Sequence, residues 1–257
     1  STDPKITNRL MYVLSFLVPV AILSVLAAAG GVWPFGPNCI LRTDLYHQYA
    51  PFLAELKNKL NGGGSFLYTW NVGLGTNFSS LFAYYLSSPE NFLYALLPES
   101  LLIEFLTVVI FLKTGFCGLA MTRYLKYKNN GIADLSLAAF GILYALSGFV
   151  CAYYWCVIWL DCLILFPAVL YGAEVLVYKK RILPYTLALG LSILCNYYMS
   201  IMVCLFLVLY FVLLNIQEAP RSVSDFAKRL GLFSLCSLLA GGMAAVLILP
   251  AWYTLQQ

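Results

Sequence analysis

"ILPYTLALGLSILCNYYMSIMVCLFLVLYFVLLN" (Ile182–Asn215) carries no charged residue. As one helix it would run about 51 Å, against a hydrocarbon core of about 30 Å. That length is too great for one span, even a tilted one. The polar cluster "CNYYMS" falls in the middle and marks a turn. The stretch therefore predicts two short membrane helices, 182–197 and 199–215.

Five further apolar runs surround this pair, at 10–30, 101–122, 132–152, 157–178 and 230–250. Composition agrees with a membrane protein. Of 257 residues, 62% are hydrophobic and only 10% charged, and mean hydropathy is +0.84. A soluble domain carries about a quarter charged residues. The run at 10–30 exceeds the 7–15 apolar residues of a signal-peptide core, so it reads as a retained helix.

The net charge of +4 is no argument for nucleic acid, because the basic residues sit in small clusters between apolar runs. With seven crossings, eleven of the 15 basic residues fall on one side: Lys5, Arg9, Arg123, Lys126, Lys128, Lys179, Lys180, Arg181, Arg221, Lys228 and Arg229. The positive-inside rule then puts the N-terminus in the cytoplasm and the C-terminus outside. The expected fold is an all-α integral membrane protein with about seven transmembrane helices. Seven of the eight cysteines lie in or beside apolar runs, with no CxxC and a single histidine. They read as small buried hydrophobes, not zinc ligands.

One connection is out of scale. Residues 31–100 form a single external loop, and loops of that length in compact proteins are usually functional. It contains "LRTDLYHQYAPFLAELKNKLNGGG" (Leu41–Gly64). Leu45, Tyr49, Phe52, Leu53, Leu56 and Leu60 fall on one helical face. This predicts an amphipathic helix on the outer leaflet, with Lys57 and Lys59 towards the headgroups. Pro51 kinks or starts it, and "NGGG" ends it.

Chemistry-bearing residues concentrate at this end. Asp44 is the first acid after the first helix. It reads either as a general base for a hydroxyl acceptor or, with Thr43, as a helix cap. His47 and Gln48 lie one turn on. Asp161 and Lys113 are charges inside apolar segments, which need a partner or a task. Lys113 reads as one half of an ion pair or as a phosphate contact. The outer-side aromatics, including Tyr84 and Tyr85, form an interfacial belt or grip something flat and sugar-like. "NVGLGTN" (Asn71–Asn77) lacks the lysine–serine pair of a P-loop and is no nucleotide site.

"TDLYHQYAPF", "YTWNVGLGTNFSSLFAYYLSSPENFLYALLP", "YYWCVIWLDCLILFPAVLYGAE" and "NYYMS" occur in that order. Together they resemble the bacterial YfhO family, over nearly the whole chain. Members of that family are longer, so the chain is similar to an N-terminal portion, with the C-terminal part of the family absent.

The resemblance implies a GT-C-like glycosyltransferase in the bacterial plasma membrane, its active site facing outside. The implied donor is a polyprenyl-phosphate-linked sugar. The implied acceptor is a cell-envelope polymer such as lipoteichoic acid. Asp44 matches the catalytic acid. Arg42, His47, Gln48, Tyr84, Tyr85, Lys113, Asp161 and Asn196 would bind substrate, and a divalent metal is an open option. The competing expectations are a transporter or flippase for a lipid-linked sugar and a non-catalytic envelope assembly protein.

Overall fold

The computed structural model describes residues 4–256. Helix α1 (Pro4–Ala29) leads into the long loop. Within the loop, a π-helical turn (Leu45–Tyr49) runs straight into α2 (Ala50–Leu60). Strands β1 (Tyr68–Thr69) and β2 (Thr76–Asn77) then pair antiparallel as a small hairpin. Next come α3 (Phe78–Leu81), a second π turn (Phe82–Leu86) and α4 (Asn91–Tyr94). The bundle continues with α5 (Leu102–Lys128), α6 (Leu135–Ala145), α7 (Gly148–Tyr153) and α8 (Val157–Lys179). It finishes with α9 (Ile182–Cys195), α10 (Tyr197–Gln217), α11 (Val223–Met243) and α12 (Ala245–Leu255).

Five helical stretches among the described residues are long and apolar enough to cross a membrane: α1, α5, α6 with α7, α8 and α10. The pair α11 and α12 raises the number to six if it counts as one span, although it bends by 72°. The bend follows Gly241 and Gly242, two residues of low helix propensity. The predicted helix at 230–250 is therefore two pieces. The predicted helix at 132–152 is likewise interrupted at Leu146–Ser147. Helix α9, at 14 residues, reaches only about 21 Å. The turn between α9 and α10 falls where the polar cluster marked it. Asn196 caps α10, accepting from the Met199 backbone N–H at 2.8 Å.

Contacts sort the helix ends. At one end Lys126 of α5 bonds Asn8 of α1 at 2.7 Å. Lys128 of α5 pairs with Glu174 of α8 at 3.0 Å there, and Arg229 of α11 reaches the Glu218 carbonyl beyond α10 at 3.0 Å. This is the basic end. At the other end the loop packs on the beginnings of α5, α8 and α10.

Two hydrophobic cores follow, joined by α8. The first collects α8, α9, α10 and α11, with Val169, Tyr185, Leu207 and Phe233 among its members. The second unites the loop with α5 and α8 through Leu45, Leu53, Leu56, Phe78, Leu106, Ile110 and Ile158. Small residues set the closest helix approach. A Cβ on Gly118 would lie 2.2 Å from the Ser15 carbonyl oxygen, and one on Gly141 2.6 Å from the Gly118 carbonyl oxygen. This is the small-residue packing that membrane helices use in place of a hydrophobic drive.

The amphipathic helix forms, but its surroundings differ from expectation. Leu45, Tyr49, Leu53 and Leu56 are buried against protein, not laid on lipid. Lys57 and Lys59 turn inward and are buried as well. The Lys57 ammonium donates to the Leu97 carbonyl and sits 5.1 Å from the Tyr94 ring centre. Lys59 donates to the Tyr68 carbonyl at 3.0 Å and lies 3.5 Å from Glu55. Loop carbonyls lacking strand or helix partners need donors, and these two lysines supply them.

Candidate functional site

Proline creates the local geometry at Asp44. Pro51 has no N–H, so the bond to the His47 carbonyl cannot form. The chain widens instead into a π turn, with the Ala50 N–H reaching back to the Leu45 carbonyl. Such single π turns recur at functional sites. Asp44 stands at the head of this turn and makes no capping bond with its side chain. The capping alternative therefore does not hold. Its Oδ1 accepts from Gln48 Nε2 at 3.3 Å.

The second π turn meets the first. Tyr85 Oη donates to Gln48 Oε1 at 2.7 Å, completing a chain from Tyr85 through Gln48 to Asp44. The Tyr85 ring is packed at 4.6 Å from Tyr84 and 4.8 Å from Phe52. Asn196 donates to the Tyr84 carbonyl at 3.2 Å and fixes this turn to the head of α10. Tyr197 lies 5.8 Å from Tyr84, ring to ring. Burial, then the neighbouring phenols Tyr85, Tyr198 and Tyr197, pushes the Tyr84 hydroxyl up to about 12. Burial and the Asp44 carboxylate push Tyr85 up as well. Both phenols are donors at neutral pH.

Five of the expected residues thus gather here: Asp44, Gln48, Tyr84, Tyr85 and Asn196. Arg42 is exposed, two residues from Asp44, and its guanidinium has no partner among the described residues. His47 is also exposed, its ring 5.0 Å from that of Tyr46.

Lys113 and Asp161 form a separate centre. Lys113 Nζ lies 2.7 Å from Asp161 Oδ2 and 2.5 Å from Glu90 Oε1, and also donates to the Val157 carbonyl at 3.1 Å. Ser88 Oγ donates to the same Asp161 oxygen at 2.6 Å. Lys113 is 5% exposed and Asp161 7%, so the ion pair is satisfied internally. Of the two readings of Lys113, the geometry favours the ion pair over a phosphate contact. Ser88 and Glu90 do not stand out in the sequence. Their signal, an acid directly after Pro89 in a loop, is too common to mark a partner for a buried lysine.

Glu55 and Glu174 escape sequence reasoning too. Glu55 accepts from Thr69 at 2.6 Å and Asn71 at 2.9 Å, holding the hairpin on α2. Burial pushes its carboxyl up, but the donations from Thr69, Asn71 and Asn58 and the Lys59 charge outweigh that and hold it below the usual range. Glu174, at the basic end, accepts from Tyr124 at 2.7 Å and Tyr210 at 2.5 Å and pairs with Lys128. Its signal was an acid within an apolar helix.

Among the described residues, no three His, Cys, Asp or Glu side chains converge on a point where they could hold a metal ion. Glu55, Glu90 and Asp161 are each engaged by a lysine, and Asp44 belongs to no such cluster among the described residues. These residues do not fit a protein-built divalent site.

Residues 15–257 match the family described as bacterial membrane protein YfhO. No curated protein and no solved structure matches the chain.

Proposed function

Because this chain belongs to the YfhO family of bacterial membrane proteins, we propose that it is a membrane glycosyltransferase using Asp44 as its base. Membership is consistent with a glycosyltransferase-like role. The donor in this reading is a polyprenyl-phosphate-linked sugar. The acceptor is a hydroxyl of a cell-envelope polymer such as lipoteichoic acid, met on the outer face of the plasma membrane.

One observation carries the reading. Asp44 is a half-buried carboxylate held by Gln48 and, through it, by Tyr85, with no cation bound to it among the described residues. Asp161 and Glu90 are neutralised by Lys113, and Glu55 by Lys59 and its hydrogen bonds. A general base must be oriented and still free to take a proton. A lipid-linked donor also keeps its tail in hydrocarbon and its sugar phosphate in water. A site for it belongs on a loop packed at the end of the bundle, as this one is.

In the proposed reaction the acceptor hydroxyl oxygen attacks the anomeric carbon while Asp44 takes its proton. The carbon–oxygen bond to phosphate breaks, and polyprenyl phosphate leaves with the bonding electrons. The anomeric configuration inverts. Arg42, exposed and without a partner among the described residues, is the cation available to offset charge on the departing phosphate. Tyr84 and Tyr85 offer flat faces for the sugar, and the Tyr84 hydroxyl offers a donor, that of Tyr85 being given to Gln48.

The buried charges Asp161 and Glu174 at opposite ends of α8 favour a second reading, a transporter of the lipid-linked sugar. Native protein reconstituted with a radiolabelled polyprenyl-phosphate sugar and acceptor polymer separates the two. Transfer predicts label covalently attached to the polymer in the inverted configuration. Label that crosses the bilayer still attached to its lipid, with no bond formed to the polymer, contradicts transfer.

A further inference from the structure

A groove of about 990 Å³ opens at the basic end, remote from Asp44, between α1, α5, α8 and the start of α9. Phe116, Ala120, Leu165 and Ala168 line it, and Tyr12 and Arg123 stand at its basic end. From Phe116 to Tyr127 it follows α5 for about 16 Å, close to half of the roughly 30 Å hydrocarbon thickness. Ala120 and Ala168 leave a shallow floor, wide enough for a flexible chain.

The charge at its mouth is one-sided. Arg123 is exposed and has no partner among the described residues. Among the described residues Lys126 bonds only the neutral Asn8 amide, and it faces the Tyr12 ring at 5.7 Å. A second cavity of about 530 Å³ adjoins the groove at Tyr127 and Gly131 and adds Lys179, which lies 5.4 Å from the Tyr127 ring centre. Glu174 lines that cavity too, but Lys128 neutralises it. Among the described residues, three cations that pair with no carboxylate, Arg123, Lys126 and Lys179, therefore stand about the end of an apolar channel one leaflet deep.

We propose that this groove binds an anionic glycerophospholipid from the leaflet at the basic end. One acyl chain lies along Phe116, Ala120 and Ala168, and the headgroup phosphate rests between Arg123 and Lys126. The site is independent of the transferase reading, since no residue is shared with the Asp44 cluster.

The test is lipid retention by the purified native protein in detergent, counted by native mass spectrometry with added phosphatidylglycerol or phosphatidylcholine. Phosphatidylglycerol is expected to be retained about ten-fold better than phosphatidylcholine. Arg123→Gln and Lys126→Gln should each reduce its binding about five-fold, the worth of one basic side chain at an anionic surface. Arg221→Gln with Lys228→Gln, basic residues outside the groove, should leave it unchanged. Ala120→Trp, which fills the floor and keeps every charge, should abolish retention without lowering the melting temperature of the lipid-free protein.

Equal retention of the two lipids overturns the proposal, as does equal loss in the control pair. So does displacement of phosphatidylglycerol by an equal concentration of undecaprenyl phosphate. Should Ala120→Trp fail to fold, Arg123→Gln alone decides, because that side chain bonds nothing among the described residues.

Discussion

Tyr85 and Gln48, 37 residues apart in the chain, are joined by a 2.7 Å hydrogen bond that ties together the two π turns of the external loop. Each turn is a local irregularity that positions one partner. The bond between them gives Asp44 a neighbour whose own orientation is fixed. In the proposed reaction Gln48 would thus position Asp44 rather than touch the reacting atoms.

Replacing Gln48 with Ala should lower sugar transfer by about ten- to a hundred-fold, since misplacement near 1 Å can cost two orders of magnitude. Gln48→Glu should not restore it, because a second carboxylate cannot donate to Asp44. Steady-state kinetics on membranes should show the loss in kcat, with KM nearly constant. An equal rise in KM would instead assign Gln48 to substrate binding.

Lys113 holds the loop to the bundle through Asp161 and Glu90. Removing it leaves buried carboxylates uncompensated, at a cost of about 3–5 kcal/mol. Lys113→Met should therefore depress the melting temperature in detergent strongly, and adding Asp161→Asn should recover part of the loss. No recovery in the double variant would mean that the lysine matters through packing alone.

Gly118 and Gly141 let α1, α5 and α6 approach closely. Gly118→Ala places its methyl against the Ser15 carbonyl, and overpacking of this kind costs about 1–3 kcal/mol. Gly231→Ala has nothing within 4 Å of its new carbon and should be neutral or slightly stabilising. Thermal unfolding of the two variants side by side reads the difference.

Glu55 gives the loop a pH dependence. Its folded pKa lies below its unfolded value, so its contribution is present above the ordinary carboxylate range and fades as pH falls through the folded value. Acid should release the hairpin from α2 before the bundle unfolds, and Trp70 fluorescence follows it. Glu55→Gln, which cannot ionise, should remove this step. A transition unchanged in Glu55→Gln assigns it to another group.

Much of this architecture was legible in the chain. Uncharged length and the polar cluster at its middle divide Ile182–Asn215, and Asn196 caps the second helix. Basic clusters grouped the helix ends that the contacts bring together. The helix from Leu45 to Leu60 followed from periodicity, but its environment did not. A repeating apolar stripe shows that one face will be covered and is silent on whether lipid or protein covers it. For the same reason Lys57 and Lys59, which read as headgroup contacts, are buried donors to loop carbonyls. The π turns have no sequence signature, because they arise from a missing amide at Pro51 and from tertiary packing around Tyr85, neither of which leaves a periodic trace. Glu90 as a partner of Lys113 depends on a loop folding back against mid-helix, a long-range contact without local signature.

In the proposed reaction Asp44 removes a proton from the acceptor. Protein carrying Asp44→Asn, present in membranes at the parent's level, should transfer labelled sugar about 10²–10⁴-fold more slowly while retaining the parent's melting temperature. Transfer within about two-fold of the parent would rule out Asp44 as the base.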